Sequence, residues 1–267
     1  MSFSTVFKAD ILKGRTALVT GGGSGICKAV AHALGRHGAN VFITSRNAER
    51  LQEAAREMGA DGVNVGWHAG DVRKPPEVEA TIHACREKFG GVDILVNGAA
   101  GNFLCPAGAL SYNAFKTVVD IDLDGTFNMC KAAFELLQQS KHACVINISA
   151  TLHYGATPLM LHASAAKAGV DALTRNLGVE WGPLGIRVNG IAPGPIAGTE
   201  GMDRLAPGEM GQKLAARIPL GRFGRLEEIG DAAVFLASDA ASYINGTTLV
   251  VDGGAWMVGR LHLDEMG

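Results

Sequence analysis

Short apolar runs alternate with amphipathic segments along the chain. The first run, residues 17–19, precedes a glycine-rich turn, and apolar residues then recur at helical spacing from Ile26 to Leu34. Gly38 ends this predicted helix, and residues 41–44, of which the first three are apolar, fit a second buried strand. A strand, a tight turn, a helix and a parallel strand in this order form one right-handed βαβ unit.

The same alternation continues to the end of the chain, without an internal repeat or a change in composition. Further elements are predicted as strands at 63–68, 93–97, 144–149, 186–191 and 249–254, and as helices at 48–58, 76–89, 112–139, 163–181 and 227–237. The fold class is therefore α/β: a single Rossmann-like, doubly wound sheet of seven parallel strands, with helices on both faces.

Composition narrows the class of protein. Hydrophobic residues make up 47% of the 267 residues, and the net charge of -2 argues against nucleic acid or an anionic membrane as a partner. The five cysteines show no CxxC spacing, so we expect free thiols and no metal site.

The sequence contains no apolar run long enough for a membrane span and no signal-peptide pattern. Because the end of the sequence lacks an SKL-type address, we expect a cytoplasmic protein, with the peroxisome as the alternative.

The turn after the first strand carries the first candidate chemistry. Gly21, Gly23, Ser24 and Gly25 would leave backbone N–H groups free at a helix N-terminus, where the helix dipole favours a pyrophosphate. The alternative is a tight connection that binds no ligand. The GxxxG spacing, followed by Cys27, differs from the GxGxxG fingerprint and resembles that of the short-chain dehydrogenase/reductase family, which has glycine at the position of Cys27.

The residues that end the second strand indicate which dinucleotide binds. An acidic residue there would hold the 2′-hydroxyl of NAD, whereas an arginine accepts the 2′-phosphate of NADP. Ser45 and Arg46 occupy this place, so we predict NADPH/NADP as the cofactor. The alternative is that Arg46 is an ordinary solvated arginine.

The family resemblance implies a larger set of cofactor contacts. The implied cofactor-binding residues are Gly21, Gly23, Ser24, Gly25, Ile26, Ser45, Arg46, Asp71, Val72, Asn97, Ala99, Lys167, Pro193, Gly194, Ile196 and Thr199. Asp71 would bind the adenine amino group, although it precedes Pro75 and is equally placed to cap the next helix. Gly98 departs from the family, which has a second asparagine at this position.

The resemblance also implies how the chain is organised. One NADP-binding domain would cover residues 1–267, and the turn at Pro193 and Gly194 would begin a substrate lid at about 195–225. The long helix predicted at 112–139 is the kind of element through which members of this family form tetramers. We therefore expect a homotetramer.

The usual catalytic pattern of the family is altered. Ordinary members donate a proton to a carbonyl oxygen from a tyrosine four residues before a lysine, with a serine and an asparagine nearby. Lys167 is present, but Ala163, Ala150 and Asp122 stand at the tyrosine, serine and asparagine positions. Either the protein binds NADPH without catalysis, or its reaction needs no acid at oxygen. Conjugate reduction of an unsaturated thioester meets the second condition, because the final proton goes to carbon.

Four longer stretches make the resemblance more specific: residues 97–116, 119–122, 180–183 and 192–201. They are similar to the peroxisomal type of the 2,4-dienoyl-CoA reductases. The likeness extends over about residues 12–256.

This second resemblance implies catalytic and substrate-binding residues. Lys167 would bind the nicotinamide ribose, Asp122 would join a proton relay with it, and Asn102 would lie near the thioester. The implied substrate-binding residues are Arg46, Arg73, Phe103, Ser111, Tyr112, Asn113 and Arg204. The arginines would meet phosphates of coenzyme A, because a guanidinium binds phosphate through two parallel hydrogen bonds.

The resemblance implies an NADPH-dependent 2,4-dienoyl-CoA reductase of unsaturated fatty acid oxidation, which adds hydride to the δ carbon and a proton to the α carbon and gives a 3-enoyl-CoA. The alternatives are another acyl-thioester or carbonyl reductase of the superfamily, or a non-catalytic NADPH-binding protein. Enoyl reductases carry a tyrosine seven residues before the lysine, where this chain has Met160. Tyr154, His153 and His162 are further candidate acids, but each histidine is more simply a loop or helix-cap residue.

Overall fold

Parallel strands form the centre of the molecule. In the computed structural model, which describes residues 6–199, 202 and 208–258, seven strands lie in one sheet in the order β3-β2-β1-β4-β5-β6-β7. The strands are β1 (Thr16–Thr20), β2 (Asn40–Ser45), β3 (Val65–Ala69), β4 (Ile94–Asn97), β5 (Cys144–Ile148), β6 (Arg187–Pro193) and β7 (Thr248–Val251). Neighbouring strands all pair in parallel, and the central ones are buried, as expected where both faces of a parallel sheet are covered.

Helices cover both faces of the sheet. They are α1 (Gly25–Arg36), α2 (Ala48–Ala60), α3 (Pro75–Phe89), α4 (Tyr112–Val119), α5 (Gly125–Gln139), α6 (Leu161–Trp181), α7 (Glu209–Ala216) and α8 (Leu226–Ala237). Adjacent strand residues point to opposite faces: Val19 belongs to a core cluster with residues of α1, α2 and α8, whereas Leu18 belongs to a cluster with residues of α3 and α5. The predicted fold class is therefore confirmed.

The strand order creates a crevice at the carboxyl ends of β1 and β4. β1 pairs with β2 on one side and with β4 on the other, and the helices that follow β1 and β4 lie on opposite faces. In open α/β sheets, ligands bind at such a switch point, outside the carboxyl ends of the strands. The glycine turn after β1 and the small-residue turn after β4 both lie at this edge.

The helix predicted at 112–139 is interrupted. A single π-helical turn, Asp120–Asp124, joins α4 to α5, so the prediction of one regular helix is wrong in its middle. Such turns occur mostly as bulges within α-helices, frequently at functional sites. Here the turn carries Asp122, whose buried carboxylate accepts a hydrogen bond from the N–H of Gly101 at 2.7 Å.

The predicted lid at about 195–225 falls only partly within the described residues. α7 belongs to it, whereas Arg204, a predicted substrate contact, lies outside the described residues. The lid and the single domain over 1–267 stay predictions. Within the described part of the chain, every helix is too short or too polar to cross a bilayer.

Candidate functional site

The glycine turn is fixed to the turn that follows β4. The hydroxyl of Thr20 accepts hydrogen bonds from the N–H groups of Gly98 at 2.9 Å and Ala99 at 3.1 Å. Gly21 has a φ of 71°, and an added Cβ would lie 3.1 Å from the carbonyl oxygen of Gly98. Both the backbone conformation and the close approach therefore require glycine.

The start of α1 is suited to an anion. Gly25 and Ile26 begin the helix, the N-cap residue Ser24 makes no side-chain capping hydrogen bond, and the first turn contains no acidic residue. The first N–H groups thus lack helical partners, and no carboxylate of that turn offsets the helix dipole. Gly23 lies against the end of β2, since an added Cβ would be 3.5 Å from Ser45 Oγ. This cradle fits the pyrophosphate of a dinucleotide.

Two departures from the family pattern meet beside this cradle. Cys27 replaces a glycine, Gly98 replaces an asparagine, and the Cys27 thiol donates to the carbonyl oxygen of Gly98 at 3.4 Å. A Cβ added at Gly98 would lie 2.1 Å from the sulfur, so the Cys27 side chain fills the space that a side chain at position 98 would need. Burial raises the pKa of the Cys27 thiol to about 12. It therefore acts as a neutral space-filling group.

Charged residues lie at the end of the crevice beside β2 and β3. Arg73 Nε donates to both carboxylate oxygens of Asp71, at 2.9 and 3.0 Å. These hydrogen bonds hold the pKa of Asp71 below its usual range, and the charge of the exposed Arg46 lowers the pKa further. The alternative in which Asp71 caps α3 is wrong, because the N-cap residue of α3 is Lys74.

Two predicted cofactor contacts are tied into the interior. The carbonyl of Val72 accepts a hydrogen bond from Asn128 of α5 at 2.9 Å. The amide of Asn97 donates to Asn147 Oδ1 at 2.9 Å, and Asn147 donates to Thr174 at the same distance. The side chain of Asn97 thus belongs to a buried chain of hydrogen bonds that runs to Thr174. The sequence analysis missed Asn147 and Thr174, because their roles depend on the pairing of β4 with β5.

An ion pair lies at the buried centre of the site. Lys167 Nζ lies 3.2 Å from Asp122 Oδ2 and donates to the carbonyl oxygen of Ile148 at 2.9 Å. The lysine is 7% exposed and the aspartate 1%. Because Asp122 also accepts the N–H of Gly101, the pair connects the π turn, α6, the end of β5 and the loop after β4. Two of the three predicted catalytic residues are therefore in contact.

The surroundings of the missing tyrosine are apolar. Ala163 is buried and packs with Val118 and Ala166. Ala150, at the serine position, is partly buried. The hydroxyl of the neighbouring Ser149 is buried without a hydrogen-bond partner in the described part of the chain. Ordinary members of the family carry a proton donor where Ala163 stands, and this chain presents a methyl group.

The loop between β4 and α4 carries the third predicted catalytic residue. Asn102 is exposed, and the next residue, Phe103, stacks on the buried His162 with ring centroids 4.2 Å apart. The N–H of Cys105 donates to the carbonyl oxygen of Leu159 at 2.9 Å, which ties the loop to the segment before α6. The loop thus runs from the buried ion pair to the start of α6, with Asn102 and Phe103 between these anchors.

Three predicted substrate contacts lie where α4 begins. Ser111 is the N-cap residue, and its hydroxyl accepts the N–H of Ala114 at 3.2 Å. Tyr112 and Asn113 are exposed. Ser111 therefore has a local structural role, whereas the side chains of Tyr112 and Asn113 face outward, where a ligand can reach them.

The segment after β6 returns to the same edge of the sheet. Pro193 ends β6, and a Cβ added at Gly194 would lie 2.5 Å from Cβ of Asp252, which excludes a side chain there. Ile196 is buried, and its carbonyl oxygen accepts a hydrogen bond from the hydroxyl of Thr199 at 3.0 Å. These predicted cofactor contacts thus lie at and just after the carboxyl end of β6, on the same edge of the sheet as the glycine turn.

A second polar cluster lies one helical turn beyond the lysine. His153 Nε2 lies 2.8 Å from Asp171 Oδ2, and the hydroxyl of Thr248 donates to Asp171 Oδ1 at 3.1 Å. Burial, with a further contribution from the Asp171 carboxylate, raises the pKa of Tyr154 to about 12. His153 and Tyr154 are thus engaged with Asp171. Sequence reasoning did not identify Asp171 as a candidate site residue. The signal that could have found it is its position four residues after Lys167.

Comparison with known proteins identifies the class. A family model described as enoyl-(acyl carrier protein) reductase matches residues 21–255. The chain therefore belongs to the short-chain dehydrogenase/reductase family, as the glycine turn indicated. The gluconate 5-dehydrogenase of Burkholderia cenocepacia, solved in complex with NADP and tartrate, has a TM-score of 0.86 and 33% identity, covering 92% of this chain and 98% of that chain. Membership of this family and the likeness to this NADP complex support a nicotinamide cofactor.

The relatives within the family are more specific. The chain is 48% identical to the peroxisomal 2,4-dienoyl-CoA reductase, (3E)-enoyl-CoA-producing, of Pongo abelii, over 96% of this chain and 88% of the relative. It is 43% identical to the probable 2,4-dienoyl-CoA reductase, (2E)-enoyl-CoA-producing, of Bacillus subtilis (strain 168), over 91% of this chain and 97% of the relative. The resemblance to the peroxisomal type that the sequence indicated is confirmed. In the described part of the chain, no group of three histidine, cysteine or acidic side chains is placed to hold a metal ion.

Proposed function

We propose that this protein is an NADPH-dependent 2,4-dienoyl-CoA reductase. The observation that carries the proposal is the buried Asp122–Lys167 pair next to the apolar site of Ala163. A charged pair without a phenolic acid suits a reaction in which carbon, and not carbonyl oxygen, receives the final proton. The names of both relatives support the same substrate class.

The crevice residues would hold the cofactor along its length. The glycine cradle would bind the pyrophosphate, Arg46 the 2′-phosphate and Asp71 the adenine amino group. Lys167 would bind the nicotinamide ribose, and the segment that contains Pro193, Gly194, Ile196 and Thr199 would contact the nicotinamide. When bound, NADPH supplies the hydride. Support for the phosphate assignment comes from the absence of an acidic residue in the first turn of α1.

Residues of this chain would stabilise the negative charge that develops on the substrate and would deliver the proton. Hydride addition to the δ carbon moves an electron pair along the diene to the thioester oxygen, and protonation of the α carbon then gives a 3-enoyl-CoA. The ammonium of Lys167 and the amide of Asn102 would stabilise the negative charge on oxygen. Asp122 would hold Lys167 and, through Gly101, the loop that presents Asn102. The proton would come from solvent through the network of this pair.

Arginines at the mouth of the crevice would bind coenzyme A. Arg73 has five N–H donors in a fixed fork, and Asp71 uses those on Nε and Nη2. The donors on Nη1 are left for a phosphate oxygen. Arg46 and Arg204 complete the predicted set, and the exposed Phe103, Tyr112 and Asn113 side chains would line the path of the thioester.

We also infer a homotetramer that forms through α4 and α5. Phe115 and Phe127 expose large apolar side chains on these helices. Light scattering would test this state, and a monomer would contradict it. The Pongo abelii relative is named as peroxisomal, while the cytoplasmic location of this chain stays a prediction from its sequence.

The test of the function is NADPH oxidation with three substrates: a 2,4-dienoyl-CoA, a 2-enoyl-CoA and a 3-oxoacyl-CoA. We expect turnover on the dienoyl thioester alone, and NMR of the product should show the double bond at position 3. A double bond at position 2 would instead match the product named for the Bacillus subtilis relative. NADPH binding without turnover on any thioester would favour a non-catalytic protein.

A further inference from the structure

His162 is a fully buried imidazole that lacks hydrogen bonds. It is 0% exposed, and neither ring nitrogen has a partner in the described part of the chain. The helix-cap interpretation is wrong, because the N-cap residue of α6 is Met160. Buried polar groups in native proteins are rarely left unpaired, so an unpaired one calls for an explanation such as a bound water or a functional role.

The position of this ring points to the acyl site. One face of His162 lies against Phe103, with ring centroids 4.2 Å apart and planes inclined by 20°. Phe103 is 39% exposed, so one side of this stacked pair reaches the surface of the protein. The residue before it is Asn102, and the residue before that, Gly101, is bonded to Asp122. His162 is therefore in direct contact with a loop residue whose neighbour in the chain, Asn102, is a predicted thioester contact.

The loop that carries Phe103 has a construction that permits this ring to move. It is fixed at Gly101 by the Asp122 carboxylate and at Cys105 by the carbonyl oxygen of Leu159. Between these two anchors, residues 102–104 belong to no helix or strand and lie mostly exposed. A rotation of the Phe103 side chain would thus uncover the imidazole without disturbing the ion pair.

We propose that His162 is a further catalytic residue, which donates a ring N–H to the thioester carbonyl oxygen when Phe103 turns aside. A neutral imidazole has one donor and one acceptor. The oxygen gains a third lone pair as it becomes an enolate, so His162 would donate to it together with Lys167 and Asn102. This inference rests on the proposed reaction, in which that oxygen gains negative charge, and donors aimed at such an oxygen accelerate the step.

The experiment compares His162→Phe, which keeps an aromatic ring but removes both nitrogens, with His162→Asn, which keeps an N–H donor. For His162→Phe we expect kcat on a 2,4-dienoyl-CoA to fall about 10- to 100-fold, with the Kd of NADPH unchanged. His162→Asn should recover part of this loss. His83→Phe, at an exposed histidine of α3 that pairs with Glu87, is the matched control and should keep full activity.

A spectroscopic measurement separates hydrogen bonding from packing. Difference infrared spectra of a dienoyl-CoA labelled with ¹³C at the carbonyl, bound with NADP, should show a lower carbonyl stretching frequency in the unaltered protein than in His162→Phe. Equal frequencies with equal kcat would overturn the role of His162 and leave a buried water as its partner. If His162→Phe fails to bind NADPH, His162→Asn decides: it should keep the lowered frequency, and loss of it would refute the inference.

The two proposals fail in different ways. Absence of dienoyl-CoA turnover by the unaltered protein would overturn the proposed function, and the role of His162 with it. Normal turnover by the unaltered protein and by both variants would overturn the role of His162 alone.

Discussion

The phosphate turn and the reaction centre both depart from the family's pattern, but with opposite consequences. At the phosphate turn, Cys27 adds a side chain and Gly98 removes one, and the two positions are in direct contact. The side chain added at position 27 occupies the volume that the missing side chain at position 98 would fill, so the glycine turn keeps its form. Exchanges that conserve volume in a packed interior are tolerated well.

At the reaction centre, the substitutions do not compensate for one another. Ala163 and Ala150 remove two hydroxyl groups, and the described structure packs Ala163 against other apolar residues without a substitute donor. Asp122 adds a charge that pairs with Lys167 inside the protein. One region thus keeps its packing with different residues, whereas the other lacks the usual hydroxyl groups and holds a charged pair instead. The predictions below test each half of this contrast.

The largest effect is expected at the reaction centre, from Asp122→Asn. Asparagine is the usual residue of the family and keeps an oxygen for the N–H of Gly101, but it removes the charge opposite Lys167. If the aspartate serves the new reaction, kcat on a 2,4-dienoyl-CoA should fall by about 10²-fold or more, with little change in NADPH binding. Steady-state kinetics and NADPH fluorescence titration measure the two quantities.

A control for this variant lies on the same π turn. Asp120 pairs with the surface residue Lys116, so Asp120→Asn should leave kcat nearly unchanged. Full activity of Asp122→Asn would remove this carboxylate from the mechanism, and the reaction centre would then resemble the phosphate turn in tolerating its substitution.

The next effect concerns the cofactor half of the site, through Arg46→Asp. The guanidinium would lose its charge-assisted hydrogen bonds to the 2′-phosphate, and a carboxylate would repel that group. The ratio of kcat/KM for NADPH over NADH should fall about 10- to 100-fold. Arg56→Asp, at an exposed arginine of α2 that pairs with Glu53, should not change the ratio. An unchanged preference in Arg46→Asp would refute the 2′-phosphate assignment.

A smaller effect is expected from a substitution that tests whether Cys27 and Gly98 compensate for each other. Gly98→Ala places a Cβ 2.1 Å from the Cys27 sulfur, so the contact must open and the free energy of unfolding should fall by about 1–3 kcal/mol. Cys27→Gly in the same chain should restore part of it. Denaturant unfolding of the two single variants and the double variant gives the interaction energy. Gly59→Ala in α2, where an added Cβ meets nothing within 4 Å, is the control, and additive effects at Cys27 and Gly98 would show that the two substitutions are independent.

The same contrast explains what the sequence can predict. The phosphate turn consists of consecutive residues, so its glycines, the helix after it and the strand ends follow from local spacing. The contact between Cys27 and Gly98 does not, since it requires β1 and β4 to be neighbours. Asp122 and Lys167 were predicted only through resemblance, because they lie on different helices. The π turn escaped prediction because apolar spacing at 112–139 fits a regular helix.

Contacts formed by side chains from separate segments were the hardest to predict. The chain of hydrogen bonds from Asn97 to Thr174 crosses between strands, and the burial of His162 depends on a loop that folds over it. The local sequence pattern predicts neither this hydrogen-bond chain nor the burial of His162, because both result from tertiary packing. For Asp71 the sequence left two roles open, and the position of Lys74 as the N-cap residue of α3 decided against the helix cap.

The smallest expected effect is the pH dependence of the Asp71–Arg73 pair, at the border between the two regions. The arginine lowers the pKa of Asp71 in the folded state, so the pair contributes stability that is present above the unfolded pKa and is lost as the pH falls through the folded one. Arg73→Gln should lower the free energy of unfolding by about 1 kcal/mol near neutral pH, a small value because the guanidinium is partly exposed. The difference between the two proteins should shrink below about pH 4, where the unfolded carboxyl becomes protonated. Urea unfolding at pH 7 and at the lowest pH where both fold measures this. A difference that stays constant with pH would show that Arg73 stabilises the fold by packing alone.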